Sequence, residues 1–402
     1  MAKSSPDPSH RILQQNFPGH LFTAPGKDRL DYFRRPDLIV DHPNLRDTTA
    51  RVRSASDPGL DQNMVFLIGP TGVGKTALLR LVVRKLIEES ASRMIEDRTL
   101  LPAFLVEADG PEQRQFDWKE FYISALLELQ APLVGNTLPI VERKAGDVTI
   151  HTIAPDASGR TPSTGALRRR LKNCIRQRKT ELFGIDEAFA LLNVRTAKSE
   201  ADRKASIVAN ASVVKSLVNK SIAVLVFAGA FDFFDLANYT GQLARRSQVV
   251  FFPDYGTSED DIAGYTEGLL GLLSHLPGHL EVALEEIAAD CLVQSVGAIG
   301  TTRTILYRWL KKSIDLSKPL NRALLHSCFY PKVALETMRK EATEGRKRVL
   351  DFLERDEIDQ SPPTAPPSPP PNAGEDAKPS TGQKRKPGET TPSRRWSEGA
   401  QE

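Results

Sequence analysis

A glycine-rich turn ending in lysine, Gly69-Pro70-Thr71-Gly72-Val73-Gly74-Lys75-Thr76, limits what this chain can fold into more than any other feature. It satisfies the pattern G-x-x-x-x-G-K-[ST] at every fixed position, and its flanks agree with it. Before it, Met64-Val65-Phe66-Leu67-Ile68 is a short apolar run that reads as a buried strand. After it, residues 77–89 read as a helix, with Leu78, Leu81, Val82 and Leu86 spaced along one face. A strand, a glycine loop and a helix together make a phosphate cradle. The glycines let the backbone wrap closely, and the loop amides and helix N-terminus aim donors at an anion. Lys75 adds a mobile positive charge, and Thr76 places a hydroxyl where Mg²⁺ bridges phosphates. The stretch from Gly69 through Ala77 is therefore expected to hold a nucleoside triphosphate, ATP, with Mg²⁺.

Composition narrows the setting. A chain of 402 residues, 40% hydrophobic, can bury a large core, and its length predicts two or three domains. With 54 basic against 51 acidic residues, no global charge announces a nucleic-acid partner, so local clusters must carry that question. Cys174, Cys291 and Cys328 lie far apart and form no C-x-x-C pair, which argues against a disulfide framework or structural zinc. The N-terminus has no apolar signal core, and the longest apolar run, residues 222–231, is too short for a bilayer. A soluble, cytoplasmic protein without a membrane role is expected.

Residues 1–28 are polar and proline-punctuated and are expected to form a flexible arm. An α/β nucleotide-binding domain is predicted over 29–257. Its strands are read at 64–68, 101–106, 182–185, 221–228 and 249–252, with helices over 77–89, 116–129 and 167–179 between them. Such alternation predicts a parallel sheet flanked by helices. Residues 130–165, broken by Pro, Gly and Thr, read as an insertion of hairpin type. From 258 to 355 strand signals give way to helical periodicity, which predicts an all-helical lid domain. Residues 356–402 read as a disordered tail: ten of the 28 prolines fall after residue 358, where six acidic and six basic residues cancel.

Leu182-Phe183-Gly184-Ile185-Asp186-Glu187 supplies the second half of the chemistry. A carboxylate at the end of a core strand suits the Mg²⁺ shell, so Asp186 joins Thr76 as a metal residue. The adjacent Glu187 is placed to deprotonate an attacking water. A pair suited to activating water favours hydrolysis over transfer to a second substrate. Gly184 stands where a bulky strand residue is usual, a sign of close approach by a neighbour.

Several segments together resemble the AAA+ ATPases of the TniB/TnsC type, which regulate DNA transposition. They are Tyr32-Phe33 through Asp41-His42-Pro43, Ile185-Asp186-Glu187-Ala188, Gln242-Leu243-Ala244-Arg245-Arg246, and the glycine-rich Ser295 to Thr302 followed by Arg303. The resemblance covers about residues 30 to 315, and the last segment is the most specific to the family. It implies an AAA+ P-loop NTPase fold and a ring or helical filament with ATP held between neighbouring copies. It further implies that Arg246, with Arg245 the close alternative, reaches the γ-phosphate of the adjacent copy, and that Arg303 in the lid touches ATP in its own copy. The chain departs from the family in two places. Ala228-Gly229-Ala230 lacks the polar residue that usually follows the glycine, and Phe189 stands where relatives often carry His.

Arg168, Arg169, Arg170, Lys172, Arg176, Arg178 and Lys179 form the densest basic run outside the tail. Arg168, Lys172 and Arg176 share one helical stripe, fit either to track duplex phosphates without reading sequence or simply to be a solvated face. Arg143 and Lys144 in the insertion are a further pair of this kind. In the tail, Lys384-Arg385-Lys386 and Arg394-Arg395-Trp396 suit a docking peptide for a transposase or target-selector protein, as the resemblance implies. The expected activity is ATP hydrolysis, slow and stimulated by DNA, in the service of transposition. Other readings remain open: a loader or remodeller related to replication initiators, a signalling or defence switch that turns ATP over slowly, and a P-loop kinase.

Overall fold

Alternate residues of each core strand point to opposite faces of one sheet, and both faces are covered. The computed structural model describes residues 15–57, 63–108, 110, 116–131, 140–145, 148–153, 162–192, 210, 213, 217, 223–231 and 247–359. Five parallel strands form the sheet: β1 (Met64–Ile68), β2 (Ala103–Glu107), β5 (Leu182–Asp186), β6 (Val224–Gly229) and β7 (Ser247–Phe251). Their order is β2-β5-β6-β1-β7. On one face Phe66, Phe104, Phe183, Leu225 and Phe227 pack with α5 (Trp118–Glu128) and α6 (Thr164–Gln177). On the other, Val65, Leu67, Val224 and Val226 pack with α2 (Pro43–Ala55) and α3 (Lys75–Glu89). Two-sided burial explains why β1 and β6 read as unbroken apolar runs rather than alternating ones.

The expected parallel α/β sheet followed by helices is what the chain forms. Element ends moved for local reasons. The strand read from residue 101 begins at Ala103, because Pro102 has no amide to give a ladder; its carbonyl instead accepts from the Glu181 and Leu182 amides. Within the segment read as an insertion, β3 (Ile140–Ala145) and β4 (Val148–Ile153) pair antiparallel, a hairpin apart from the main sheet. Side-chain capping sets two helix starts: Asp117 accepts from the Lys119 and Glu120 amides, and Ser163 from the Ala166 amide.

Beyond β7 the described chain is helical: α7 (Glu259–Ser274), α8 (Leu284–Ser295), α9 (Ile299–Leu316), α10 (Arg322–His326) and α11 (Lys332–Asp359). Ser258 caps α7 through the Asp261 amide, and three acidic residues fill its first turn, where the helix dipole favours negative charge. Trp309, fully buried, centres this second core with Tyr265, Leu269, Ile305 and Leu310, and its indole donates to the Asn321 carbonyl at 3.2 Å.

The N-terminal expectation needs correcting. Residues 15–28 are not a loose arm: the Asn16 amide donates to Ser274 O at 2.8 Å, and Phe17 and Leu21 are buried. Helix α1 (Gly26–Arg34), which no sequence signal marked and part of which was assigned to the sheet domain beginning at residue 29, sits in the helical core through Phe33, with Gly26 against Ile314. An amphipathic helix specifies an apolar partner but not which of two cores provides it. Residues 1–14 lie outside the described part. The chain divides into two units after Arg355, and of the second, Asp356–Glu402, only the end of α11 is described. Among the described residues, no helix is long and apolar enough to cross a membrane.

Candidate nucleotide site

The glycine turn leaves β1 and closes on the N-terminus of α3. Gly72 and Gly74 take positive φ, 80° and 116°, a conformation that side chains resist. Gly69 has no room for more: a Cβ there would lie 2.5 Å from the Phe252 carbonyl oxygen. Inside the turn the Lys75 ammonium donates to the carbonyls of Gly69 and Pro70, each at 2.9 Å. Burial pushes its pKa down to about 8, opposed by the nearby charges of Glu187, Asp186 and Glu341. Thr76, half-buried, follows in the first turn of α3, then Ala77. These features fit a polyphosphate: a wrapped backbone, a helix N-terminus and a lysine that can exchange carbonyls for phosphate oxygens.

Asp186 ends β5 and is buried, while Glu187 is exposed just beyond it. Strand β6 alone separates β5 from β1, so the two strand ends lie about 10 Å apart, a gap that side chains span. Asp186 Oδ1 accepts from the Glu187 amide at 3.0 Å, and Glu187 holds φ at 48°. Such left-handed backbone is unusual in a residue with a side chain, and here it turns the chain sharply off the strand. The Gly184 reading resolves simply: a Cβ there would lie 2.9 Å from Cδ1 of Leu105, so a β2 side chain makes the close approach rather than backbone.

Not every predicted residue gathers here. Arg303 is committed elsewhere: its guanidinium donates to the carbonyls of Phe33 at 2.7 Å, Arg35 at 2.8 Å and Leu38 at 3.2 Å. It binds the C-terminal end of α1 and the segment after it to α9. The physical reason is helical phase: two residues along a helix is about 200° of rotation, and Thr301 already faces the phosphate loop. Arg245 and Arg246 lie outside the described residues. Arg168, Arg169, Lys172 and Arg176 are all on α6, whose apolar stripe Leu167, Leu171 and Ile175 is buried against the sheet. Arg143 and Lys144 lie on β3, distant in sequence from α6.

Two contributors went unassigned at the sequence level. The glycine-rich run after α8 joins the helical part to the phosphate loop: the Thr301 amide donates to Gly72 O at 3.1 Å, and Gly300 lies against the same carbonyl. Gly297, at φ 70°, lets the Tyr255 backbone approach, and its carbonyl accepts from the Tyr255 amide at 3.0 Å. The second is Glu341 of α11, whose Oε1 accepts from Thr71 Oγ1 at 2.9 Å. Gly300 and Thr301 carried a signal in their glycine spacing, whereas Glu341 carried none.

No curated protein sequence matches the chain. Among solved structures, the Walker-type ATPase of Pyrococcus abyssi is similar at 14% identity and a TM-score of 0.43, over 82% of this chain and 80% of that one. The ORC2 protein of Aeropyrum pernix is similar at 15% identity and a TM-score of 0.43, over 74% and 70%. Domain III of the Thermotoga maritima replication initiation protein DnaA is similar at 15% identity and a TM-score of 0.40, over 75% and 98%. Residues 60–236 match the family model described as an AAA domain, and together with the parallel sheet, the phosphate loop and the strand-end carboxylates this gives the chain the fold of an AAA+ P-loop NTPase.

Proposed function

We propose that this chain is an ATPase that binds MgATP, assembles with further copies on duplex DNA and controls DNA transposition, the role implied by its resemblance to the TniB/TnsC type. The observation that carries the nucleotide reading is a lysine folded inside a glycine loop, within electrostatic reach of two carboxylates from the end of a neighbouring core strand. The loop amides between Gly69 and Ala77, Pro70 excepted, would bind the phosphates, and Lys75 would neutralise their charge. Thr76 and Asp186 would hold Mg²⁺, which would supply charge stabilisation when bound. Glu187 takes the proton from an attacking water at its carboxylate, leaving ADP and inorganic phosphate. Arg246, with Arg245 as the alternative, would bring positive charge from an adjacent copy. Arg168, Arg169, Lys172 and Arg176 on α6, with Arg143 and Lys144 on β3, would contact duplex phosphates without reading bases. The tail, residues 356–402, would dock the transposase or target-selector.

Glu187→Gln tests this reading. It removes the base and keeps the shape, so the variant should bind ATP, lose hydrolysis by a hundredfold or more, and accumulate as an ATP-dependent assembly on DNA. Electron microscopy and DNA-binding titrations with and without ATP would show it, and equal DNA binding in both conditions would defeat the coupling. A second reading, a switch with slow turnover, draws on β6, which ends in Ala228 and Gly229 and continues into Ala230 and the buried Phe231. None of those residues offers a side chain to orient water, so an ATPase rate unmoved by duplex DNA would favour the switch.

A further inference from the structure

Helix α11 lies across the phosphate loop. Its residues Met338, Glu341, Ala342, Gly345, Val349 and Phe352 fall at three- and four-residue spacing and so share one face. Along that face it is anchored at several points. Val349 is fully buried in the core over the sheet, and Phe352 packs beside it. Gly345 has the Phe231 ring so close that any Cβ would overlap it. A glycine inside a helix costs about 1 kcal/mol against alanine, so its gain here is the close approach to the end of β6. Arg346 forms an ion pair at 2.5 Å with Asp254, a buried carboxylate in the segment joining β7 to α7.

At the loop itself stands Glu341. Its carboxylate takes the hydroxyl hydrogen of Thr71 at 2.9 Å and adds its charge to those acting on Lys75. It also walls two cavities of about 270 Å³ each. One lies between the phosphate loop and α9, beside Pro70, Thr71, Gly72 and Thr301. The other lies between Phe231 and α11, beside Lys340, Glu344 and Arg348. A carboxylate with an oxygen on the loop hydroxyl and its charge towards the loop lysine does part of what a phosphate would do there. A triphosphate entering the loop would be repelled by that negative charge.

We infer that α11 is a strap that a nucleotide must displace: Glu341 holds the phosphate loop through the Thr71 hydroxyl in the resting protein, and ATP drives the helix off it. This rests on the nucleotide-binding reading above and adds its regulation. Part of the phosphate binding energy is then used to move the helix, which lowers the apparent affinity by the fraction of molecules in the open form. Loop occupancy in turn sets the position of α11 and, through Arg346 and Asp254, bears on the link between sheet and helices.

The full-length chain is the object to test, with MgATPγS titrated calorimetrically and amide hydrogen exchange followed over residues 332–352. Glu341→Gln should bind about tenfold tighter than the native chain, the scale expected when one exposed carboxylate no longer faces several phosphate charges. Gly345→Val, which pushes α11 away without altering charge, should also bind tighter and should show fast exchange over the helix before nucleotide is added. In the native chain, saturating nucleotide should speed that exchange. If the native chain binds nucleotide while Glu341→Gln binds no tighter and the exchange of α11 ignores nucleotide, the strap is wrong and the nucleotide site stands. If the native chain binds no better than Lys75→Ala, the nucleotide site itself fails and the strap with it. Glu341→Gln alters an exposed side chain and keeps the test decisive should Gly345→Val not fold.

Discussion

His42 shows how one buried side chain can set a pH limit. Its Nδ1 accepts from the Leu45 amide at 3.3 Å and from the Tyr255 hydroxyl at 2.9 Å, while that hydroxyl accepts from the Asn44 amide at 3.1 Å. A ring that accepts twice at Nδ1 is neutral there, and protonation would break both contacts. Burial lowers its pKa to about 4, with Asp41 and Glu267 opposing the shift and Arg46 adding to it. The sign follows from linkage. Between pH 6.5 and 4 the unfolded chain takes up a proton that the folded chain refuses, so this group's contribution is complete above pH 6.5 and falls away towards pH 4. The loss should reach roughly 3 kcal/mol. Urea midpoints measured from pH 7 to 4.5 should fall more steeply for the native chain than for His42→Gln, and parallel curves would refute the assignment. Arg303 teaches a related point: at a helix C-terminus one guanidinium serves three carbonyls, a task that a lysine cannot reproduce.

Among the elements, the turn between α8 and α9 does the most with the fewest residues. Val296 and Gly297 both adopt left-handed backbone, at φ 54° and 70°, and end α8 so that α9 starts beside the phosphate loop. Tyr265 then ties the turn together, its hydroxyl hydrogen-bonded to Thr302 Oγ1 at 2.8 Å and Ser295 Oγ at 3.2 Å. Gly297→Ala should cost about 2 kcal/mol or more, since it combines left-handed strain with overlap on the Tyr255 backbone. Thermal unfolding would read this as a drop of several degrees, with a parallel loss of nucleotide affinity because Thr301 would shift from Gly72 O. These elements were legible to different degrees. Strand β1 stood out because burial on both faces leaves an unbroken apolar run. Helix α1 was not legible as a helix, and neither was its destination, since Phe33 would satisfy either core.

At the scale of the whole molecule, helix α6 carries the test of the proposed DNA surface. Helix α6 shows its buried stripe to the sheet, which leaves Arg169 and Arg176 exposed and Arg168 and Lys172 half-buried. If duplex DNA runs along it, replacing Arg168, Lys172 and Arg176 together with glutamine should weaken binding evenly across sequences. The slope of log affinity against log salt should fall by up to about 3, near 0.9 per lost phosphate contact. An unchanged slope would return α6 to the role of a solvated face and move the DNA surface elsewhere.

The residues from Met64 to Ala77 declared a strand, a phosphate turn and a helix from local pattern alone, because each of those choices is set by neighbours within a few positions. Asp186 and Glu187 were singled out by the same means, at the end of an apolar run that forms β5. Tertiary structure decided what local pattern cannot carry. It turned Arg303 towards α1, brought residues 15–34 onto the helical core, and set Glu341 on Thr71 across 270 positions of chain. Contacts at that separation leave no period or spacing in the sequence, since they exist only once distant segments have packed together.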